Sequence, residues 1–405
     1  MDLNTLIYDW NQEVNAEEKP AHAFELNDET LRDGLQSPSV KTPTLEQKIE
    51  ILHLMEGLGI HAADIGLPGA GPHVLEHVVA LAAEIAKNKF KIQPNCAART
   101  LKVDIDPIIE ASQRTGIPIQ ACTFIGSSPI RQYAEGWGMD QLLKFTEEAV
   151  SYAVKNNLDV MYVTEDTTRA HPNDVKRLYL AAIRSGARRV CISDTVGNAT
   201  PEGVQRLVRF MVEVIKESGE DVKIDWHGHN DRGLAVANAI IALQAGAHRV
   251  HGTGIGVGER VGNVQMDQLM VNLKLKNWIT NDLTTLPQYC RKISEYTGIP
   301  IPINYPVFGH DAFRTGTGVH AAAILKSLNK GDMELVDRVY SSVPAAMFGL
   351  EQVVEIGPLS GESNVVFWLK RRKIEPREEL VKKIFAAAKQ SQTVLSDEQI
   401  FSLCR

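Results

Sequence analysis

His227 and His229 stand two residues apart in the segment Trp226-His227-Gly228-His229-Asn230-Asp231. On an extended backbone such a pair shares one face, so both imidazoles point the same way. Asp33 adds an anionic oxygen, and Asn263, at the end of a glycine-rich run, can add an amide carbonyl. Two imidazoles, a carboxylate and an amide suit a divalent cation with open coordination positions, such as Zn²⁺, Mn²⁺, Mg²⁺ or Co²⁺. A lone His-x-His is as readily a structural pair. Convergence with Asp33 is what turns it towards metal. Arg32 and Arg99 add cations that suit a carboxylate-bearing substrate, because a guanidinium binds a carboxylate through two parallel hydrogen bonds. The run Gly252-Thr253-Gly254-Ile255-Gly256-Val257-Gly258-Glu259-Arg260-Val261-Gly262-Asn263 has no G-x-G-x-x-G register. It reads either as backbone that lets a bulky ligand approach closely or as a tight turn that needs several positive φ angles.

These residues must be brought together by the elements that carry them. Helix-like segments end at Gly59, Gly116, Gly186 and Gly246, each followed by a short apolar run, and Asn156-Asn157 takes the same place before Leu158. Glycine or asparagine just past a helix supplies the left-handed cap, and an apolar run after it reads as a buried parallel strand. Strands are expected near 22–27, 61–66, 89–94, 117–124, 159–164, 188–193, 222–227 and 247–252. Their spacing of roughly thirty residues suits repeated βα units. The fold class is therefore α/β: a (β/α)8 TIM barrel over 21–275, followed by a small, mainly helical C-terminal region. An open doubly wound sheet is the alternative. In a closed barrel, strands seven, eight and one are neighbours, so the loops carrying His227, Asn263 and Asp33 converge. Other strand ends are polar too: Asp64, Asn95 and Arg99, Ser127 and Ser128, Glu165 and Asp166, and Thr195. Helix capping accounts for some of these, with Ser127, Ser128 and Thr167 the plainest candidates.

Beyond residue 275 the rhythm breaks. Residues 276–330 read as a linker, proline-rich over 281–310, with a helix over 311–330. Residues 331–405 read as a small C-terminal subdomain with one charged helix over 370–390, its charges a solvated face. Residues 1–20 read as a polar extension. The chain has 405 residues, 44% of them hydrophobic, and a net charge of −7. That balance excludes wholesale disorder and argues against nucleic-acid or anionic-membrane binding. No apolar stretch reaches the roughly 20 residues of a membrane span. Five scattered cysteines without a C-x-x-C pair point to a reduced, cytoplasmic protein.

Taken together, the stretches Glu29-Thr30-Leu31-Arg32-Asp33-Gly34, Thr123-Phe124-Ile125-Gly126-Ser127-Ser128-Pro129, His227-Gly228-His229-Asn230-Asp231, Gly256 to Asn263 and Thr317-Gly318-Val319-His320 resemble the 2-isopropylmalate, homocitrate and citramalate synthases. That family shares its barrel with 3-hydroxy-3-methylglutaryl-CoA lyases. The resemblance implies condensation of acetyl-CoA with a 2-oxo acid, then thioester hydrolysis. It assigns the metal to Asp33, His227, His229 and Asn263, and places Arg32 at the polarised oxygens. It also assigns the substrate to Arg32, Asp64, Arg99 and Thr195, and the acyl-CoA to Gly256, Gly258 and Arg260. Glu165 and His320 would form the proton relay, with the partner subunit's His320 completing the site of a homodimer. Leu35, Thr315 and the loop Gly66–Pro72 depart from the synthase pattern and bear on which 2-oxo acid is used. 2-Oxoisovalerate is favoured. Homocitrate or citramalate synthesis, a metal-dependent lyase or aldolase, and a non-catalytic metabolite-binding barrel are the alternatives. The absence of cysteine in 252–263 stands against a lyase. About 40 residues remain after the linker, too few to bury a core of their own. Leucine, lysine and isoleucine are therefore expected not to inhibit.

Overall fold

The structure is a computed structural model. It describes Leu3, residues 6–8, Trp10 and residues 19–405. Most of the expected N-terminal extension lies outside the described residues. The chain divides into two compact units, one built from 19–281 with 288–300, the other mainly from 301–405.

The first unit is a closed eight-stranded parallel barrel. Its elements run β1 (Glu25–Asp28), α1 (Leu45–Gly57), β2 (Ala62–Asp64), α2 (Pro72–Asn88), β3 (Gln93–Arg99), α3 (Lys102–Thr115), β4 (Gln120–Gly126), α4 (Pro129–Glu135), α5 (Met139–Lys155), β5 (Val160–Glu165), α6 (Pro172–Arg184), β6 (Arg189–Asp194), α7 (Pro201–Ser218), β7 (Lys223–Gly228), α8 (Ala235–Ala245), β8 (Arg249–Gly252) and α9 (Met266–Leu275). Closure comes from β1 pairing with β8, with Asp28 opposite Gly252. The caps read from the sequence take the positive φ expected of them, at Gly59, Gly116, Gly186 and Gly246 and also at Asn157. Strand β3 is displaced from its expected place at 89–94. Helix α2 ends with Lys89 in the left-handed region (φ 55°), and the Phe90 N–H returns to the Ile85 carbonyl at 3.1 Å. That closure consumes the apolar run, and the strand is built instead from small buried residues, Cys96, Ala97 and Ala98.

After the barrel, α10 (Leu286–Thr297) buries Tyr289, Cys290 and Ile293, and 288–300 fold with the barrel unit rather than as a free linker. The second unit contains β9 (Arg314–Thr315), α11 (Gly318–Asn329), α12 (Met333–Arg338), β10 (Val353–Val354), α13 (Glu362–Arg371), α14 (Glu378–Gln390) and α15 (Asp397–Cys404). The single helix expected over 370–390 is two helices. Pro376 disfavours helical backbone at the residue before it, and Lys373 is left-handed at φ 57°. The last forty residues do not stand alone. Val381, Ile384 and Ile400 pack on Ile356, Val365 and Trp368 in one shared core. This unit also holds a cavity of ≈ 690 Å³ whose lining includes Arg314, Arg371 and Arg372. Each of these is paired within the unit, to Glu355, Glu351 and Asp397 respectively. Among the described residues, no helix is long and apolar enough to cross a membrane. All five cysteines are free.

Candidate metal centre and active site

The ends of β1, β7 and β8 do converge. Asp33 Oδ2 lies 3.7 Å from His229 Nε2 and 4.0 Å from His227 Nε2. These gaps exceed a hydrogen bond and match two ligands about 2.0–2.2 Å from a shared cation. One ligand atom from each of the three residues falls within 4.8 Å of the others. The loop after β8 is stitched to the end of β7: Asn263 pairs with His229, and the Asn230 N–H donates to the Gly262 carbonyl at 2.9 Å. Asn263 thereby reaches Asp33, with its Nδ2 donating to Oδ2 at 2.5 Å.

Two atoms of this cluster are buried without any partner: His229 Nδ1 and Asn263 Oδ1. A buried acceptor left bare costs about 1–3 kcal/mol. The amide oxygen and nitrogen of asparagine exchange places by a half-turn, which would turn Oδ1 towards Asp33 and the imidazoles. Such an arrangement is favourable only with a cation between the oxygens. The donor set and the bare Asn263 oxygen therefore fit a divalent metal.

The surrounding charge fits as well. Arg32 donates to Asp33 Oδ1 at 2.5 Å and to Asp64 Oδ2 at 2.7 Å. Burial would push the Asp33 carboxyl up, but Arg32 and His227 outweigh it and its pKa is lowered. Asp64 is different: burial dominates and its pKa is raised to about 6. On the far wall, Glu165 ends β5 with a raised pKa, first from burial and then from Asp166 and Glu135, against the lowering effect of Arg131. Arg131 approaches the Glu165 carboxylate to 3.8 Å. Thr195 Oγ1 accepts from the Asp166 N–H at 2.8 Å, which leaves its own proton to donate to a ligand.

Several expected site residues are already engaged. Arg99 forks onto Asp104, at 2.7 and 2.9 Å, with 59% of its side chain exposed. Arg260 grips Asp231 and the Thr195 carbonyl. Ser128 is a helix N-cap, as capping predicts, and also donates to Asp166. Thr167 instead joins Thr164, Tyr179 and the Ser193 N–H in a buried network. His320 lies at the start of α11 in the second unit, its ring 4.1 Å from that of Tyr340.

The glycine run takes the tight-turn form. Gly256 and Gly262 have φ of 69° and 89°, and a Cβ on Gly262 would sit 1.8 Å from the Gly256 carbonyl oxygen. Gly262→Ala is expected to cost about 1–3 kcal/mol in chemical denaturation from backbone strain alone. It should also weaken metal binding by displacing its neighbour Asn263, and unchanged metal affinity would refute that coupling.

Sequence reasoning passed over Glu29, Asp225 and His251. Glu29 accepts from His227 Nδ1 at 2.7 Å and from His251 Nδ1 at 2.9 Å. The signal was present: Asp225-Trp226-His227 and Arg249-Val250-His251 alternate charged and apolar residues, so in a buried strand the charged set must face the barrel axis.

Comparison with known proteins agrees with this arrangement. Residues 23–292 match the HMGL-like family. The chain is 33% identical to homocitrate synthase AksA of Methanopyrus kandleri, over 89% of this chain and 86% of that protein. It is 34% identical to 2-isopropylmalate synthase of Pyrococcus furiosus, over 78% and 63% respectively. Among solved structures, the Bacillus subtilis HMG-CoA lyase superposes with a TM-score of 0.58 at 21% identity, covering 70% of this chain and 97% of that one. That likeness speaks for the barrel alone. A family match spanning the whole barrel, with the cluster of candidate metal ligands at its mouth, makes this chain a member of the HMGL-like family.

Proposed function

We propose that the protein condenses acetyl-CoA with a 2-oxo acid and releases CoA, using a divalent cation held by Asp33, His227, His229 and Asn263. The observation that carries this reading is the meeting of that cluster with Arg32 and Glu165 at one end of the barrel. When bound, the cation supplies Lewis acidity to the carboxylate and keto oxygens of the 2-oxo acid. Arg32, between Asp33 and Asp64, adds positive charge at those oxygens. Thr195 donates a hydrogen bond from its hydroxyl to the substrate carboxylate. Glu165 takes the methyl proton of acetyl-CoA, and the resulting carbanion forms the new C–C bond at the keto carbon. That oxygen gains a proton, and water then cleaves the thioester to a carboxylate and free thiol. The raised pKa of Glu165, caused first by its burial, suits this role, because a stronger base takes a weakly acidic proton more readily. We place His320 as its relay partner in a homodimer. The relatives' names support the reaction class.

For the acceptor we favour a branched monocarboxylate, 2-oxoisovalerate, giving 2-isopropylmalate. Arg99, Arg131, Arg169 and Arg260 each already face a carboxylate of the chain, so a second substrate carboxylate would have to compete for its cation. Strand alternation turns the half-buried Phe124 and Val163 to the same side as Cys122 and Met161, an apolar wall suited to a branched tail. Homocitrate synthesis, from 2-oxoglutarate, is the second reading, favoured by the similarity to homocitrate synthases. Thiol release from acetyl-CoA, measured with 2-oxoisovalerate, 2-oxoglutarate and pyruvate in turn, is expected to be fastest with 2-oxoisovalerate by tenfold or more. Faster release with 2-oxoglutarate would move the assignment to homocitrate. Cleavage of a 3-hydroxyacyl-CoA without any condensation would replace the synthase reading with a lyase.

A further inference from the structure

Beneath the metal cluster, the barrel interior carries a chain of charged groups that the proposed chemistry does not use. Glu29 spends one carboxylate oxygen on His227 Nδ1 and the other on His251 Nδ1. His251 Nε2 turns the opposite way, to Asp225 Oδ2 at 2.8 Å. Asp225 is gripped in turn by Arg249 Nε and Arg189 Nη1, both at 2.6 Å. The chain ends where Arg189 Nη2 meets Glu25 at 2.7 Å, with Lys223 on the other Glu25 oxygen at 3.2 Å. Glu29, His251, Asp225 and Arg249 are all at most 3% exposed. Burying so many ionisable groups is costly unless each is paired and hydrogen-bonded, and here each is.

Glu29, His227 and His251 have the spacing of a second cation site. Both Glu29 oxygens and both His251 nitrogens, however, are taken up within the chain of hydrogen bonds. The same atoms have a different consequence. A carboxylate only accepts, so His227 must donate from Nδ1, and its lone pair is then fixed on Nε2, the atom that faces Asp33. His251 cannot swing away from Glu29 because its other nitrogen is tied to Asp225, which two arginines immobilise.

We infer that Glu29 is a positioning residue that sets the ring orientation and tautomer of His227 for metal binding, and that His251 and Asp225 hold Glu29 in place for that task. The inference rests on the reading of Asp33, His227 and His229 as a metal centre. Outer partners of this kind change metal affinity by about 10–100-fold when removed. Glu29→Gln keeps the size of the side chain, but its single amide oxygen can accept from only one of the two imidazoles.

The test is titration of the metal-stripped protein with Co²⁺, followed by calorimetry and by visible d–d absorption, which reports the ligand field directly. Wild type is expected to bind one Co²⁺, and His229→Ala to lose it. Absence of Co²⁺ binding in wild type would overturn the metal reading and this inference with it. Given wild-type binding, Glu29→Gln is expected to weaken Kd by about 10–100-fold and to shift the d–d bands. His251→Gln should change both in the same direction, and serves if Glu29→Gln does not fold. Glu25→Gln removes two ion pairs at the far end of the same network and controls for general destabilisation. It is expected to lower Tm while leaving Kd and the spectrum unchanged. Folded Glu29→Gln or His251→Gln protein with wild-type Kd and spectrum, or an equal loss of affinity in Glu25→Gln, would overturn the positioning role.

Discussion

His229→Ala is expected to reduce condensation by about a thousandfold or more at saturating acetyl-CoA, with the fold intact. Three decades correspond to about 4 kcal/mol of transition-state stabilisation, within what a Lewis acid at a developing alkoxide supplies. The cluster has two imidazoles and two oxygens to offer. His229 is the member whose pKa is held down, to about 4, first by its burial and then by its neighbour His227. It therefore stands neutral, ready to ligate, across the working pH range. Asp33→Asn should be equally damaging, because it removes the only formal negative charge in the donor set. Chelation followed by dialysis should abolish turnover, and added Mn²⁺, Co²⁺ or Zn²⁺ should restore it in wild type but not in His229→Ala. Full turnover by protein shown by elemental analysis to be metal-free would end this reading.

The second large effect is expected at Glu165. Replacement by Gln should slow condensation by about 10²–10⁴-fold, the usual contribution of a positioned base. Binding of the 2-oxo acid should change little, because Glu165 acts on the other substrate. Stability should move the opposite way. Burial raises the Glu165 pKa in the folded state, so the folded protein binds this proton more tightly than the unfolded chain does. That preference favours folding below the unfolded pKa, near 4.5, and is lost as pH rises through the folded value. At pH 8 the ionised carboxylate is a net cost, and Glu165→Gln should raise Tm there while making little difference at pH 4. The acid limb of the wild-type kcat profile should likewise lie above the ordinary glutamate range. A Gln variant that keeps wild-type kcat would remove Glu165 from the chemistry. Mixed Glu165→Gln and His320→Ala subunits should regain activity if the partner subunit's His320 completes the site. A mixture that stays inactive while subunits exchange would place both residues in one chain.

What the sequence determined by itself was the barrel and the meeting of its candidate metal ligands. Helix caps, apolar strand runs and the thirty-residue rhythm are local signals, carried by residues such as Gly116, Gly246 and Asn157, whose backbone preferences need no distant partner. Once eight parallel strands close, the neighbouring of strands one, seven and eight follows from topology, and Asp33, His227, His229 and Asn263 must share one mouth. Where local signals were ambiguous, the tertiary structure decided. The apolar run before β3 was spent on closing α2, and Pro376 with Lys373 split one charged helix into two. The larger decisions concerned pairing. Arg260 belongs to Asp231, and Glu29 to two histidines some two hundred residues away. Ionic partners are chosen by strand register and barrel closure, which bring together residues with no proximity in sequence. A charge in a linear chain reveals that it will need a partner, and only the folded barrel shows which one it has.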